Sequence, residues 1–184
     1  MRTLCFALLI VFAVAGSRPV FADQTDPRLD NLFLILQSSE QQIEVRAAEN
    51  LIWSTWIQHG DGDINRLMQV GIKAMADRRL DDAVEVFTAL IDQAPDYAEA
   101  WNKRATVYFI QGKLALSSAD VAQTLALEPR HFGALSGLGQ IEMLRGNGDA
   151  ALKAFEDAVK VHPRLAGMHD LIRDLKQRVR GQEL

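Results

Sequence analysis

The sequence predicts an all-α fold, a solenoid of stacked helical hairpins, and regular spacing is the main reason. Of the five prolines, the last three are Pro95, Pro129 and Pro163, and each follows the one before it by 34 residues. On windows of that length, small and large residues recur in a fixed order. The three windows are residues 64–97, 98–131 and 132–165.

Equivalent positions in the windows carry residues of similar size. The eighth position holds Gly71, Ala105 and Gly139, and the twentieth holds Ala83, Ser117 and Ala151. The fourth position holds Leu67, Trp101 and Leu135, and the twenty-fourth holds Phe87, Val121 and Phe155. Small residues at the eighth and twentieth positions allow two antiparallel helices to pack closely, because bulky side chains there would push the helices apart. Each window therefore predicts one helical hairpin.

Turn residues agree with the hairpins. Gly112 and Gly146 occupy the fifteenth position, where the first helix must end and glycine readily takes a left-handed conformation. Arg78 stands at this position in the first window, so we expect its turn to be built differently. Each proline ends a second helix, because proline lacks the N–H that would continue the helix and restricts the residue before it.

These windows resemble tetratricopeptide repeats over residues 64–165. They depart from the family pattern at Arg104, Ser117 and Glu142, yet each window keeps most of its marks. The stretch 127–139, with the preceding residues 101–105, also resembles small exported tetratricopeptide proteins of alphaproteobacteria. The resemblance implies a solenoid whose first helices line a concave groove that binds other proteins.

Residues 1–22 have the features of a cleaved signal peptide. Arg2 supplies a basic start, the run from Leu4 to Ala15 is apolar, and Val20-Phe21-Ala22 forms a small-x-small cleavage site. The apolar run is shorter than the roughly 20 residues that span a bilayer. We therefore expect cleavage after Ala22, a periplasmic location, and no stable membrane insertion of the mature chain.

Composition narrows the range of partners. With 184 residues, of which 48% are hydrophobic and 24% charged, the chain has enough apolar material for one compact domain. The single cysteine, Cys5, lies in the signal segment, so disulfides cannot stabilise the mature chain. Loss of Arg2 and Arg18 takes the formal net charge from −4 to −6. An acidic chain without a basic stripe binds nucleic acid and anionic membranes poorly.

The pattern of residues 23–63 predicts a degenerate helical hairpin followed by a linker. We expect the hairpin to cap the start of the array. Ser39 with Gln42 predicts a capping box that opens the second helix, and Trp53 and Trp56 lie near the end of that helix. Asp63 is the expected N-cap of the first repeat. The apolar face of the first helix consists of Leu29, Leu32, Phe33 and Leu36.

Residues 166–184 predict a C-terminal capping helix followed by a short tail. Its apolar residues recur at helical spacing, with charged residues on the opposite side. A solenoid needs such a helix, because its last repeat otherwise exposes an apolar face. The apolar residues are Met168, Leu171, Ile172, Leu175 and Val179.

Motifs that carry chemistry are weak, and we expect no enzyme, metal site or cofactor. The stretch from Asp61 to Asn65 opens like a calcium loop, yet Arg66 and Ile72 stand where such a loop has glycine and glutamate. A loop that caps a helix is the better interpretation. Ser136 lacks the preceding glycine of a nucleophile elbow. Four histidines lack metal-ligand spacing and are expected in loops or on the surface, namely His59, His131, His162 and His169.

One polar pair in the second window is informative. Its seventh and twenty-third positions are Arg104 and Asp120, on facing helices of one hairpin. The other windows carry apolar pairs there, Val70 with Val86 and Leu138 with Ala154. Because both positions change together, we expect a partly buried structural ion pair between Arg104 and Asp120. The alternative is that Arg104 binds an anion.

The resemblance also implies which residues line the groove. They occupy the second, fifth, ninth and twelfth positions of each window. The strip formed by Met68, Ile72 and Met75 is open to a second interpretation, namely burial under the N-terminal hairpin. The expected groove residues are Asn65, Met68, Ile72, Met75, Glu99, Asn102, Thr106, Phe109, Gly133, Ser136, Gln140 and Met143.

Together these observations favour a non-catalytic periplasmic adaptor or scaffold that binds a peptide or helix of an envelope protein. Methionine is flexible and polarisable, which suits a groove that adapts to an apolar partner. A self-assembling structural protein of the cell envelope is the first alternative, with the repeat edges mediating homo-oligomerisation. An enzyme is disfavoured, because the sequence contains no paired nucleophile and base and no metal cluster.

Overall fold

The computed structural model describes residues 23–182, and within that range the chain forms nine helices. The predicted all-α fold is confirmed. The helices are α1 Arg28–Ser38, α2 Gln42–Ile57, α3 Gly62–Ala76, α4 Leu80–Gln93, α5 Ala98–Ile110, α6 Leu114–Leu127, α7 Phe132–Leu144, α8 Gly148–Val161 and α9 Met168–Gln182. In the described part of the chain, none of the helices is long and apolar enough to cross a membrane.

The three predicted repeats form the hairpins α3–α4, α5–α6 and α7–α8, which stack in sequence order. Helices α4, α6 and α8 each end two residues before the proline of their window. The last helix, α9, packs against α8, where Met168, Ile172 and Leu175 join Ala151 and Phe155 in one buried cluster. This packing covers apolar surface on α8.

All three hairpin turns are built in the same way, which corrects the expectation for the first one. Gly112 and Gly146 have positive φ angles of 72° and 78°, and Arg78 takes a φ of 62°. Each turn closes with the same pair of backbone hydrogen bonds, for example Arg79 N–H to the carbonyl of Ala74 at 2.9 Å. This pattern is a Schellman motif, which needs a left-handed residue whatever its side chain.

Two predicted helix caps are shifted by a short distance along the chain. The N-cap of α3 is Asp61, whose carboxylate accepts a hydrogen bond from Asp63 N–H at 2.7 Å, so Asp63 lies in the first turn. The expected capping box between Ser39 and Gln42 does not form. Ser39 Oγ accepts a hydrogen bond from Gln41 N–H and donates one to Glu44, because the chain is still extended at Gln41.

The N-terminal hairpin α1–α2 does not continue the stack at its first end. It packs instead against α5 and α8, near the ends of the repeats. Its apolar residues, among them Phe33, Ile52 and Trp56, form a buried cluster with Phe132 from the start of α7. The hairpin thus lies across the second and third repeats, and this position differs from the cap on α3 that the sequence suggested.

Candidate functional site

Burial divides the expected groove residues into a covered half and an open half. In the covered half, the exposed fractions are 0% for Met68 and 1% for Glu99. Asn102, with an exposed fraction of 8%, lies where the two halves meet, because it bonds to Glu99 and also lines the cavity of the open half. In the open half, Thr106 and Gln140 are exposed. The other expected groove residues are half-buried, namely Asn65, Ile72, Met75, Phe109, Gly133, Ser136 and Met143.

The covered half is occupied by packing within the described chain, and Ile72 and Met75 are half-buried against the cluster that contains Met68. Ile57, at the end of α2, packs against the same cluster. The side-chain amide of Asn65 holds the linker by two hydrogen bonds. Its Nδ2 donates to the carbonyl of His59 at 2.6 Å, and its Oδ1 accepts from the N–H of His59 at 2.8 Å. At this end of the groove the contacts come from the end of α2 and the linker, while the body of the hairpin packs against α5 and α8.

The open half contains a cavity of about 150 Å³ between α5 and α7, with α6 as its floor. Its walls are mostly apolar, and its rim is polar. The walls include Ala105, Phe109, Val121 and Ile141. The cavity is also lined by the polar residues Thr106, Gln140 and Asn102. A cavity of this size and lining can accept one apolar side chain, with hydrogen-bonding groups beside it.

Two glycines of α7 line this space, and they have different surroundings. A Cβ atom added at Gly137 would meet nothing within 4 Å, so the wall is open there. Gly133 is different, because a Cβ added to it would lie 2.5 Å from the Trp53 ring of α2. One glycine thus keeps the cavity open, and the other admits the N-terminal hairpin.

A buried polar network lies beside the cavity. Glu99 lies 2.8 Å from Lys103 Nζ, and its Oε2 is hydrogen-bonded by Asn102 at 3.0 Å and by His131 at 2.9 Å. Burial by itself raises the pKa of Glu99, but the charge of Lys103 and the hydrogen bond from His131 outweigh burial and lower that pKa to about 2. Glu99 is therefore ionised at neutral pH, with its Oε2 hydrogen-bonded to Asn102 and His131 and its Oε1 beside the Lys103 ammonium.

The structure brings Arg104 and Asp120 together. Arg104 donates two hydrogen bonds to the Asp120 carboxylate, at 2.8 and 2.9 Å, and a third to Thr88 Oγ1 at 3.0 Å. The guanidinium carbon lies 5.1 Å from the centre of the Trp101 ring. The hydrogen bonds that Arg104 donates to Asp120 raise the pKa of Arg104, which keeps the ion pair charged. Within the described residues, the guanidinium of Arg104 is thus engaged by partners of the chain itself, as expected for a structural ion pair.

Two histidines lie deeper than the sequence indicated. His131 and His162, expected in loops or on the surface, have exposed fractions of 0% and 1%. The N-terminal hairpin covers both, since Trp56 stacks on His131 and Glu49 approaches His162 at 3.4 Å. Burial lowers the pKa of His162, and Glu49 partly opposes this shift. Within residues 23–182, no cluster of histidine, cysteine and carboxylate side chains could hold a metal ion.

Comparison with protein families assigns the repeats. A tetratricopeptide repeat family model matches residues 71–119 and 111–166. The chain belongs to the tetratricopeptide repeat family. It is similar to a TPR repeat-containing protein of Rhizobium etli, with 34% identity over 92% of this chain and 86% of that protein. Proteins of this family are generally non-catalytic interaction modules, and the comparisons indicate no enzyme family.

Solved structures show the same fold. The first TPR of Spaghetti (RPAP3), bound to an HSP90 peptide, has a TM-score of 0.61 and 22% identity, covering 63% of this chain and 92% of that one. The type III secretion chaperone SycD of Yersinia enterocolitica, in complex with a peptide of the translocator YopD, has a TM-score of 0.61 and 10% identity. The match covers 68% of this chain and 98% of the chaperone chain.

Sequence reasoning missed three residues that shape the site. Gly137 opens the cavity wall, while Lys103 and His131 hold the buried Glu99. A signal for His131 existed in the repeats, because Tyr97, His131 and Leu165 all occupy the last position of a window. A large residue that recurs at a boundary between hairpins indicates packing there. Lys103 carries no such signal, since its position is typical of a solvated helix face.

Proposed function

We propose that this protein is a non-catalytic interaction module that binds a segment of another protein in the open half of its groove. The observation that carries the proposal is the cavity of about 150 Å³ between α5 and α7, with apolar walls and a polar rim. A bound segment would insert one apolar side chain into the cavity. Thr106 and Gln140 would hydrogen-bond to the backbone on either side of that side chain.

Peptide complexes of similar folds support the binding of a segment of another protein. The structures of RPAP3 and SycD that share the fold each contain a peptide from another protein. Some members of the tetratricopeptide repeat family clamp a terminal carboxylate with lysine and asparagine. This chain does not reproduce that pattern, since Met68 and Ile72 occupy the key sites of the first repeat. An apolar anchor fits the cavity better than a charged end of a chain.

The proposal includes a periplasmic location and a partner among exported or envelope proteins. It rests on the signal-peptide features of residues 1–22, which lie outside the described residues. Fractionation of cells that produce the full chain, or a chain without residues 2–22, tests this part. We expect the full chain in the periplasm, shortened by cleavage after Ala22. Equal distribution of the two chains would contradict it.

Site-specific photo-crosslinking tests the groove. A photoreactive residue at Gln140, on the cavity rim, is expected to capture a discrete partner in cells. The matched control is Gln123, an exposed glutamine on α6, away from the cavity. Gly137→Leu adds a large side chain to the cavity wall at a position where a Cβ atom meets nothing within 4 Å, and it should abolish capture from Gln140. Capture from Gln123 with none from Gln140 would contradict the groove assignment.

A second candidate function, self-assembly, has one observation in its favour. The N-terminal hairpin exposes large apolar side chains, with 60% of Leu34, 74% of Ile43 and 53% of Leu51 accessible to solvent. Apolar surface of this kind often marks an interface. Sedimentation of the mature chain across a range of concentrations separates the two functions, since an adaptor stays monomeric and a self-assembling protein does not.

A further inference from the structure

The C-terminal half of α2 fits into an aromatic socket formed by His131, Phe132 and Gly133. The ring of Trp56 stacks on the His131 imidazole with centroids 4.1 Å apart and planes at 10°. The ring of Trp53 meets Phe132 edge-on at 5.1 Å and occupies the space above Gly133, where any Cβ atom would collide with it. The socket therefore accepts two tryptophans one helical turn apart.

The socket is held in shape by hydrogen bonds of the array itself. His131 Nδ1 accepts a hydrogen bond from Ala134 N–H at 3.0 Å, at the start of α7. With Nδ1 as an acceptor, the proton of the neutral ring lies on Nε2, which donates to Glu99 at 2.9 Å. Because both nitrogens are engaged, the ring plane on which Trp56 stacks is fixed. Lys103 adds a cation 5.9 Å from the centre of the Trp53 ring.

Outside the socket, the hairpin is attached by apolar packing of its buried cluster on Val161 and Leu165 and by a set of exposed polar contacts. Asp30 and Arg130 form an ion pair at 2.7 Å, and 82% of the Asp30 side chain is accessible to solvent. Arg164 donates a hydrogen bond to the carbonyl of Ser39. Exposed ion pairs contribute little to stability. Inside the socket, Trp56 Nε1 is buried without a hydrogen-bond partner among the described residues, and this weakens the docked state.

The socket adjoins the cavity of the open half. Gly133 lies under the Trp53 ring and also lines the cavity between α5 and α7. Asn102 lines the cavity and bonds to Glu99, the residue that holds His131. A helix placed in the socket therefore runs beside the surface at which a partner segment would bind.

We propose that α2 is a displaceable resident ligand of the groove, and that the socket binds an amphipathic helix of a partner protein carrying two tryptophans one turn apart. The inference rests on the proposed function as an interaction module and adds the chemistry of a second partner segment. The N-terminal hairpin keeps the socket closed until a better helix replaces it. The partner helix is therefore expected to resemble α2 in its two tryptophans and their spacing.

A binding measurement with the hairpin as a separate peptide tests this proposal. The probe is a fluorescent peptide of residues 23–59, and the target is the full mature chain carrying W53A and W56A. We expect the peptide to bind this variant and to bind the unaltered chain at least about tenfold more weakly, because there the socket is filled. A peptide that itself carries W53A and W56A is the matched control and should not bind.

Two further substitutions in the target chain show where the peptide binds. Gly133→Leu places a side chain in the space of the Trp53 ring and should abolish binding. Gly137→Leu adds a side chain at the cavity wall, where a Cβ atom does not meet Trp53, and should leave peptide binding unchanged. This binding test needs no natural partner. A negative result would therefore contradict the displaceable hairpin without contradicting the proposed function, which the crosslinking experiment tests. Binding that ignores the tryptophans, or none to any variant, would overturn the proposal.

Hydrogen exchange on the unaltered chain provides a measurement that does not depend on variants. If the hairpin leaves the array as a unit, amides of α1 and α2 should exchange at least about tenfold faster than those of α5 to α8. Equal protection of all these helices would mean that the hairpin opens only when the whole chain unfolds. In that case α2 is a fixed part of the core and cannot act as a displaceable ligand.

Discussion

The middle repeat and the two outer repeats solve the same packing problem with different side chains. In the outer repeats a glycine faces a phenylalanine, and a Cβ atom on Gly71 or Gly139 would lie 2.5 or 2.3 Å from the ring of Phe87 or Phe155. The middle repeat has Ala105 and Val121 at these positions. A larger residue on one helix thus accompanies a smaller one on the other, as close packing requires.

The difference explains where the cavity lies. Ser117 and Val121 form part of its lining. Val121 is smaller than the phenylalanines at the equivalent position of the outer repeats, and Ser117 is more polar than the alanines at its own equivalent position. The middle repeat gains instead a bidentate ion pair between Arg104 and Asp120, at positions that are apolar in both neighbours. The repeat with less aromatic packing is thus the repeat that leaves room for a ligand.

Removing one core side chain from each kind of repeat should give the largest contrast. Phe155→Ala removes a fully buried ring and should lower the free energy of unfolding by about 3 to 5 kcal/mol. Val121→Ala removes two methyl groups and should lower it by about 2 kcal/mol. Urea unfolding of the mature chain measures both changes. Equal losses would show that the middle repeat is packed as tightly as its neighbours.

Breaking the ion pair of the middle repeat should have the next largest effect. Asp120→Ala leaves the Arg104 charge unpaired, and 14% of that side chain is accessible to solvent. We expect a loss of about 3 kcal/mol, the lower end of the range for a buried pair. The control R104V/D120V copies the apolar pair of the first repeat and should recover most of the loss. An Asp120→Ala chain that melts at the unaltered temperature would rule out this role.

Transplanting the outer packing into the middle repeat should fill the cavity. Val121→Phe alone overpacks against Ala105 and should cost about 1 to 3 kcal/mol. With Ala105→Gly added, the ring has the space that Gly71 gives to Phe87, so most of that loss should return. The double variant should also lose crosslinking from Gln140. Full crosslinking in a stable double variant would separate partner binding from the cavity.

The sequence predicts the repeats well because their signals are local and periodic. Glycine or a small residue faces a large one at fixed spacing, and the joint change at Arg104 and Asp120 indicates their contact. The docking of α1–α2 has no such signal, since Trp53 and Trp56 find His131 and Gly133 through contacts distant in the chain. Burial of His131 follows from that docking, and so do the covered and open halves of the groove.

The smallest expected effect concerns the turn of the first repeat, where Arg78 stands in place of the glycine of the other two. Its φ of 62° is close to the 72° of Gly112, and the backbone hydrogen bonds match. A left-handed conformation costs an L-residue about 1 to 2 kcal/mol, while glycine loses part of this advantage through its freedom in the unfolded chain. Arg78→Gly should therefore stabilise the protein by about 1 kcal/mol, and Gly112→Ala should destabilise it by a similar amount. Urea midpoints measure both, and a lower midpoint for Arg78→Gly would mean that this exposed side chain makes a contact of its own that outweighs the strain.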